Sequence, residues 1–246
     1  MEILSPEVRE ATKKKFEGEL ENKVTILHFT QEQSRLVLPD SLKGQDCFFC
    51  KETKQLLEEV KALSDKIELL VYDFTADKEK AAEYKIDKIP ATVIMGDQDS
   101  GIRFYGIPSG YEYTSLVEAI ADVSKRRTEL SAQTKEALKS VDKDVHIQVF
   151  VTPTCPYCTT AVRLGHQFAL ESPLVKADMV ESTEFPHLAN RFSVFGVPKT
   201  VVNDAISFEG AVPEEEFLAQ VLKAVSLPRQ SLLNETISDS VKPDNS

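Results

Sequence analysis

Residues 145–158 read VHIQVFVTPTCPYC, an apolar segment followed by a short turn and two cysteines that are separated by two residues. The segment Val145–Val151 is rich in the β-branched and aromatic residues that favour strands. After Cys155 and Cys158, apolar residues recur at the spacing of a helix: Ala161, Val162, Leu164 and Phe168. The sequence therefore predicts a strand, a turn and a helix that begins at the cysteine motif.

The same pattern occurs once earlier in the chain, and the two occurrences use all 4 cysteines. The strand-forming segment Val24–Thr30 precedes the motif CFFC at residues 47–50. The leading cysteines, Cys47 and Cys155, are 108 positions apart, and a downstream proline recurs at the same interval. A shared register of this kind indicates an internal duplication, so we interpret the chain as one unit used twice.

Each unit has the predicted order α-β-α-β-α-β-β-α. A strand, a helix and a second strand form a right-handed parallel crossover, and the closing strand pair adds an antiparallel hairpin to the same sheet. The predicted fold class is α/β, with two tandem domains that each contain a central mixed β-sheet flanked by helices and a separate core. We place the first domain at residues 1–127 and the second at 128–228, with a polar tail at 229–246 that is expected to be disordered.

Composition excludes several classes of function. A net charge of −11 disfavours nucleic-acid and anionic-membrane partners, which require clustered positive charge. No apolar run approaches the roughly 20 residues that cross a bilayer. The N-terminus has neither the basic start nor the apolar stretch of a secretory signal, so we expect a cytoplasmic protein. In that compartment a Cys-x-x-Cys pair is more often catalytic or metal-binding than structural.

The position of each motif at a helix start suits reversible thiol–disulfide exchange. Free N–H groups and the positive end of the helix dipole favour the thiolate of the leading cysteine. We predict that Cys155 attacks disulfides and that Cys158 resolves the mixed-disulfide intermediate, while Cys47 and Cys50 form a second pair. The two residues inside each motif should tune the pairs differently, because they change packing around the thiolate.

Each unit also places a β-branched residue and a proline immediately before a strand. These dipeptides are Ile89–Pro90 and Val197–Pro198. A cis peptide bond there would expose a backbone edge beside the cysteines, where a substrate peptide can add as a strand. We therefore assign Ile89, Pro90, Val197 and Pro198 to substrate binding. Tyr157 either lines the same groove or covers apolar surface.

Two other interpretations of the cysteines remain. Four thiolates can bind zinc, although the 104 residues between Cys50 and Cys155 exceed the spacing of typical sites, and we predict no metal. Either pair could also be inert and buried, most of all the first, because Phe48 and Phe49 could pack into a core.

The motifs resemble a known family. The strand, the CPYC helix start and Val197–Pro198 resemble glutaredoxin, within the wider thioredoxin fold. Across residues 1–228 the duplicated arrangement resembles the glutaredoxin-like protein disulfide oxidoreductases of thermophilic archaea and bacteria, and the stretch GIRFYGIPSGYEY at 101–113 is especially similar. The resemblance implies two thioredoxin-like domains and a cofactor-free enzyme that forms, reduces or isomerises disulfides in protein substrates. It implies that both pairs are potential sites and that the second is the stronger.

Some features depart from the family pattern. The Gly-Gly-x-Asp that helps glutaredoxins hold glutathione is missing, so a thioredoxin-reductase-like electron donor is expected instead. Residues 31–46 form an insertion that the second half lacks. Thioredoxin's buried acid, in the strand before the motif, is replaced by His28 in the first half and Val149 in the second. We interpret His28 and His146 as satisfied core residues.

Two other functions stay open. One is a disulfide-tolerant chaperone or binding scaffold. The other is an electron-transfer module that feeds a peroxiredoxin, similar to the tandem thioredoxin-fold segment of flavin-dependent peroxiredoxin reductases. The chain lacks the flavin-binding pattern Gly-x-Gly-x-x-Gly, so such a module would receive electrons from another protein. The direction of electron flow is also open, because oxidases and reductases share residues and differ in reduction potential.

Overall fold

The computed structural model describes residues 2–31 and 47–227. The first half contains α1 (Pro6–Glu19), β1 (Val24–Thr30), α2 (Cys50–Lys61), β2 (Ile67–Asp73), α3 (Lys78–Glu83), β3 (Ala91–Met95), β4 (Asp99–Tyr105) and α4 (Glu112–Lys125). The second half contains α5 (Ala132–Lys139), β5 (Val145–Val151), α6 (Cys158–Glu171), β6 (Val175–Glu181), α7 (Pro186–Arg191), β7 (Lys199–Val202), β8 (Ile206–Glu209) and α8 (Glu214–Ser226). The predicted element order is confirmed in both halves. The proposed insertion, apart from Gln31, and the tail 229–246 lie outside the described residues.

Helix α1 begins after Ser5, which caps its N-terminus. The Ser5 hydroxyl accepts a hydrogen bond from the Val8 N–H at 3.3 Å, and Pro6 occupies the first helical position. Serine at the cap satisfies a free N–H, and proline at this position loses no helical hydrogen bond. The helix buries Phe16 against the sheet and leaves a charged outer face. No helix within the two described ranges is both long and apolar enough to cross a bilayer.

The strands of the two halves form one sheet. Strand β1 pairs in parallel with β2 and antiparallel with β3, which pairs antiparallel with β4. The second half repeats these pairings with β5, β6, β7 and β8. Strands β4 and β6 then pair in parallel from Ile102 with Ala177 to Tyr105 with Val180. The result is an 8-stranded sheet in the order β2-β1-β3-β4-β6-β5-β7-β8.

The expectation of a separate core in each domain is wrong. The buried apolar residues form two clusters that lie on opposite faces of the shared sheet, and each cluster contains residues of both halves. Helices α1, α2, α4, α5, α6 and α8 contribute to the larger cluster, whereas the short helices α3 and α7 contribute to the smaller one. Strand residues alternate between the clusters, as Ile26 and Leu27 do, because successive side chains point to opposite faces. Pairing β4 with β6 covers two apolar strand edges that separate sheets would expose.

Polar contacts reinforce this junction. The Gln167 amide on α6 donates to the Asp122 carboxylate on α4 at 3.1 Å. The Ile107 N–H donates to the Glu184 carboxylate at 2.6 Å, and the Tyr111 N–H donates to the Pro153 carbonyl at 3.0 Å. The last contact ties the start of α4 to the turn that precedes the second cysteine motif.

We expect Gly101→Ala to destabilise the fold by about 1–3 kcal/mol. Gly101 lies in β4 with φ of +77°, and an added Cβ would approach the Val175 carbonyl oxygen on β6 to 2.5 Å. Gly18→Ala is the control, because Gly18 lies on the exposed side of α1 with no heavy atom within 4 Å of an added Cβ. It should raise stability by about 0.5–1 kcal/mol. Urea unfolding measures both free energies, and equal changes would contradict a close contact between β4 and β6.

Candidate active site

The two cysteines of each motif form a disulfide bond. Cys47 pairs with Cys50 and Cys155 with Cys158, and the Cα atoms of each pair are 5.5 Å apart. This separation lies within the usual range for a disulfide, so no backbone movement is needed to close either pair. Both motifs therefore have the geometry of a pair that can switch between dithiol and disulfide.

The two motifs lie at the same edge of the sheet. Strands β1 and β5 run in the same direction, since two antiparallel steps lead from β1 to β4 and the remaining steps are parallel. Four inter-strand spacings of about 4.8 Å place the two strands roughly 19 Å apart. Zinc binds thiolates at about 2.3 Å, so the four cysteines cannot surround one ion. This separation argues against the alternative of a shared zinc site.

The helices begin later than the sequence predicts. The second cysteine of each motif, Cys50 or Cys158, is the first residue of its helix, and the leading cysteine lies three positions before it. The two intervening residues form the turn that joins the motif to the helix. Cys50 and Cys158 are buried, at 1% and 0% exposure, Cys155 is 9% exposed and Cys47 is half-buried. In both motifs the leading cysteine is therefore nearer to solvent than the second.

The predicted proline sites lie in equivalent places. The peptide bonds Ile89–Pro90 and Val197–Pro198 are both cis. Both prolines are buried, and both preceding residues are half-buried. The Cys155 sulfur lies 3.7 Å from the Val197 carbonyl oxygen. The structure thus brings Val197 and Pro198 to the second cysteine pair.

Aromatic rings surround the motifs and are exposed. Tyr157 is 70% exposed, so its ring does not cover the core. Phe48 and Phe49 are 72% and 42% exposed, and the interpretation that they pack into a core is wrong. Phe195, which the sequence patterns did not single out, is 94% exposed in the turn before Pro198. Its position next to Gly196 is the sequence feature that could have indicated an exposed turn.

The two histidines that the sequence assigned to the core differ. His28 is fully buried in β1, and its Nδ1 lies 3.3 Å from the Thr92 hydroxyl. Burial lowers the pKa of His28 to about 4, so the ring is neutral at pH 7. His146 is 44% exposed, and its Nε2 lies 2.6 Å from the Asp178 carboxylate. Burial opposes its charge, but the Asp178 carboxylate raises the pKa of His146 overall.

A buried carboxyl near the second motif was not singled out by the sequence patterns. Glu112 is 1% exposed at the first position of α4, next to the residue whose N–H donates to Pro153. Neither of its carboxyl oxygens has a well-formed hydrogen bond among the described residues. Burial raises the pKa of Glu112 to about 7, although the Ser115 hydroxyl opposes this rise. The available signal was the stretch 101–113, which ends at this helix start.

Comparison with known proteins agrees with this arrangement. The thioredoxin domain family matches residues 145–223. The crystal structure of a protein disulfide oxidoreductase from Aeropyrum pernix superimposes with a TM-score of 0.80 at 31% identity, over 90% of this chain and 93% of the other. The chain belongs to the tandem thioredoxin-fold protein disulfide oxidoreductases. The α/β class with two thioredoxin-like units is confirmed.

A second group of relatives is related to peroxide reduction. The structure of the alkylhydroperoxide reductase AhpF from Enterococcus faecalis has a TM-score of 0.78 at 26% identity, over 89% of this chain. An alkyl hydroperoxide reductase component of Pseudomonas aeruginosa is 26% identical over 171 residues, which cover 70% of this chain. The chain spans 31% of the length of such curated relatives, which also include a Bacillus subtilis NADH dehydrogenase.

We expect Glu112→Gln to reduce the pH dependence of stability. The pKa of this carboxyl rises from 4.5 to about 7 on folding. Its protonated form favours the folded state, so the contribution is complete below about pH 4.5 and is lost as the pH rises to about 7. Between these pH values the free energy of unfolding should fall less in the variant than in the wild type, by on the order of 2–3 kcal/mol.

Chemical denaturation at several pH values measures this difference. Glu10→Gln, on the exposed side of α1, is the control and should follow the wild type. If Glu112→Gln also follows the wild type, the carboxyl is not titrating in this range.

Proposed function

We propose that the protein exchanges disulfides with protein substrates chiefly at Cys155 and Cys158. The observation that carries this proposal is the Cys155 sulfur beside the Val197 carbonyl, at the edge of a thioredoxin fold. In the reduced protein the Cys155 thiolate attacks a substrate disulfide, forms a mixed disulfide and releases one substrate thiolate. The Cys158 thiolate then attacks the Cys155 sulfur, and the second substrate thiolate leaves. The same steps in reverse oxidise a substrate dithiol.

The burial of the cysteines supports these two roles. A sulfur that attacks a protein disulfide must reach it, whereas a resolving sulfur needs to reach only its neighbour. Cys155 is the more exposed residue of its pair, and it precedes the N-terminus of α6, whose dipole favours a thiolate. Cys158 is buried as the first residue of that helix. The proposed order of attack follows from this difference.

We assign the substrate groove to Val197, Pro198 and Tyr157. The backbone at Val197 lies beside the reactive sulfur and can pair with an extended substrate segment. The exposed Tyr157 ring can cover apolar side chains of that segment, and its hydroxyl can bind a polar group. Ile89 and Pro90 have the equivalent position for Cys47 and Cys50, which act as a second pair.

The two pairs act independently in this proposal. Strands β1 and β5 are roughly 19 Å apart, far beyond the roughly 2.05 Å of a disulfide bond, so one pair cannot exchange directly with the other in this conformation. Electrons for reduction would come from a thioredoxin-reductase-like donor. We propose the cytoplasm as the compartment, where exchangeable pairs are catalytic more often than structural.

Cys158→Ser should trap the proposed intermediate. Without the resolving sulfur, Cys155 remains bound to the substrate, and a covalent complex with insulin should accumulate on non-reducing gels. Insulin reduction with dithiothreitol should fall at least tenfold in Cys158→Ser and in Cys155→Ser. Cys50→Ser is the matched change in the first pair and should reduce turnover less.

Cys155→Ser is the control for trapping and should form no complex through the second motif. A binding scaffold would hold unfolded insulin equally well in all variants and show no turnover to lose. Equal binding without turnover in all variants would contradict the proposal. So would a covalent complex that still forms in the double variant Cys47→Ser/Cys155→Ser.

A second candidate function is electron transfer to a peroxiredoxin. It is favoured by the match to the alkylhydroperoxide reductase AhpF, which covers 89% of this chain and 99% of that structure. With NADPH, a thioredoxin reductase and a bacterial peroxiredoxin, the chain should then accelerate peroxide-dependent NADPH oxidation, and Cys155→Ser should abolish the gain. No acceleration by the wild-type chain would eliminate this candidate and leave disulfide exchange with other proteins.

A further inference from the structure

The first half contributes backbone to the border of the second cysteine pair. The Tyr111 N–H donates to the Pro153 carbonyl at 3.0 Å, and Pro153 is two residues before Cys155. Gly110 has φ of +60°, and an added Cβ there would collide with the same carbonyl oxygen. Glycine permits this close approach because it has no side chain. The start of α4 therefore borders Cys155, although it belongs to the other unit.

Three exposed aromatic side chains surround this pair, and each comes from a different segment. Tyr157 lies inside the motif and Tyr111 adjoins the turn before it. Phe195 is two residues before Val197, whose carbonyl lies beside the Cys155 sulfur. Two residues of extended chain span at most about 7 Å, so all three rings are within reach of a substrate segment at Cys155. Exposed apolar groups that gather in one place mark an interaction site.

The segments that carry these rings contain no charged residue. They are residues 106–111, 152–158 and 194–198, whereas 28% of the whole chain is charged. At the first motif, the segment before the cis proline contains Lys85, Asp87 and Lys88. An uncharged border with aromatic rings favours burial of apolar side chains over binding of charged ones. The second site therefore fits a substrate segment that is apolar beside its cysteine.

The first motif cannot receive an equivalent ring from the segment before α8. That segment, residues 210–213, follows β8 as the segment with Tyr111 follows β4, and it contains no aromatic residue. Strand β8 is at the end of the sheet, six strand spacings or roughly 29 Å from β1. The two units therefore share a scaffold, but the α4 start adds a ring to the second site that the α8 start does not add to the first.

We propose that Tyr111 is a substrate-binding residue of the second pair and that its ring, with those of Tyr157 and Phe195, selects disulfides whose cysteine is flanked by apolar side chains. This inference rests on the proposed disulfide exchange. The substrate segment adds along the Val197 backbone, and the side chains beside its cysteine pack against the rings. Packing removes both apolar surfaces from water, so it strengthens binding without changing the reacting sulfurs.

The test measures single-turnover reduction of peptide disulfides by the full-length chain. Cys47→Ser and Cys50→Ser are combined so that only the second pair reacts, and the reduced protein, freed of reductant, is mixed in excess with the peptide. Each substrate is a disulfide-linked homodimer of one peptide, and the substrates differ only in the two residues that flank the cysteine, which are leucine, serine or lysine. Reduction yields two peptide thiols and closes the Cys155–Cys158 disulfide.

After acid quenching and alkylation, mass spectrometry gives the reduction rate at each protein concentration. About 0.3 M salt screens the long-range attraction of the acidic chain for lysine. The leucine peptide should react at least about fivefold faster than the serine peptide at low protein concentration. The lysine peptide should react no faster than the serine peptide.

Tyr111→Ala should slow the leucine peptide by about three- to tenfold, through a higher half-saturating concentration at an unchanged limiting rate. The serine peptide should change by less than about 1.5-fold, because this variant keeps the N–H that binds Pro153. Tyr111→Phe keeps the ring and should behave as the unsubstituted chain does. Leu70→Ala, at an exposed apolar position on the edge strand β2, is the control and should change neither rate.

Equal rates for the leucine and serine peptides would overturn this inference and leave disulfide exchange intact. The same holds for a Tyr111→Ala variant that slows both peptides alike or slows neither. A preference for the lysine peptide would also overturn it, because the rings would then bind cations. If no peptide is reduced, the proposed function itself is wrong and this inference fails with it.

A direct measurement uses the mixed disulfide that Cys155 forms with the leucine peptide when Cys158→Ser is added to the same chain. NMR should show cross-peaks between the leucine methyl protons and the ring protons of Tyr111. A complex that forms without these cross-peaks overturns the role of Tyr111, whereas disulfide exchange at Cys155 is then still supported.

Discussion

The parallel pairing of β4 with β6 is the constraint on which the arrangement of both sites depends. Each half would otherwise end in an exposed apolar strand edge, with Ile102 and Phe104 on one side and Ala177 and Met179 on the other. Pairing these edges satisfies their backbone hydrogen bonds and merges the cores of the halves. It also sets the two motifs along one edge of the sheet in the same orientation. Both cysteine pairs therefore lie on one side of the molecule.

Within each motif, burial distinguishes the two sulfurs. The second cysteine is the first residue of a helix that packs on the sheet, so it is fully enclosed. The leading cysteine lies just before that helix, and in the second motif its sulfur lies beside the backbone that precedes the cis proline. The helix start, the turn and the proline come from distant parts of the unit. In the proposed function, their common location provides a reactive sulfur and a backbone that an extended chain can bind.

The two sites are not copies in their chemistry. The first motif has two exposed phenylalanines, and the second has a proline and an exposed tyrosine. In the turn before the proline, Asp87 of the first unit occupies the place of Phe195 in the second. Below the motif, an imidazole in the first unit corresponds to a valine in the second. Duplication therefore preserved the scaffold, while the residues around each pair of sulfurs diverged in charge and in apolar surface.

The two units and the order of their elements follow from the amino-acid sequence alone, whereas the way in which the units meet depends on tertiary packing. Strand and helix patterns, the cap at Ser5 and the common register of cysteines and prolines are local signals, because they arise from side-chain periodicity and backbone propensity. The β4–β6 pairing joins edges that are far apart in sequence, and no local pattern distinguishes an edge that faces solvent from one that pairs. Exposure of Phe48 and Phe195, and burial of Glu112, likewise depend on what packs around them after folding. Periodicity predicts the face on which a residue lies, but burial is a property of the assembled sheet and helices.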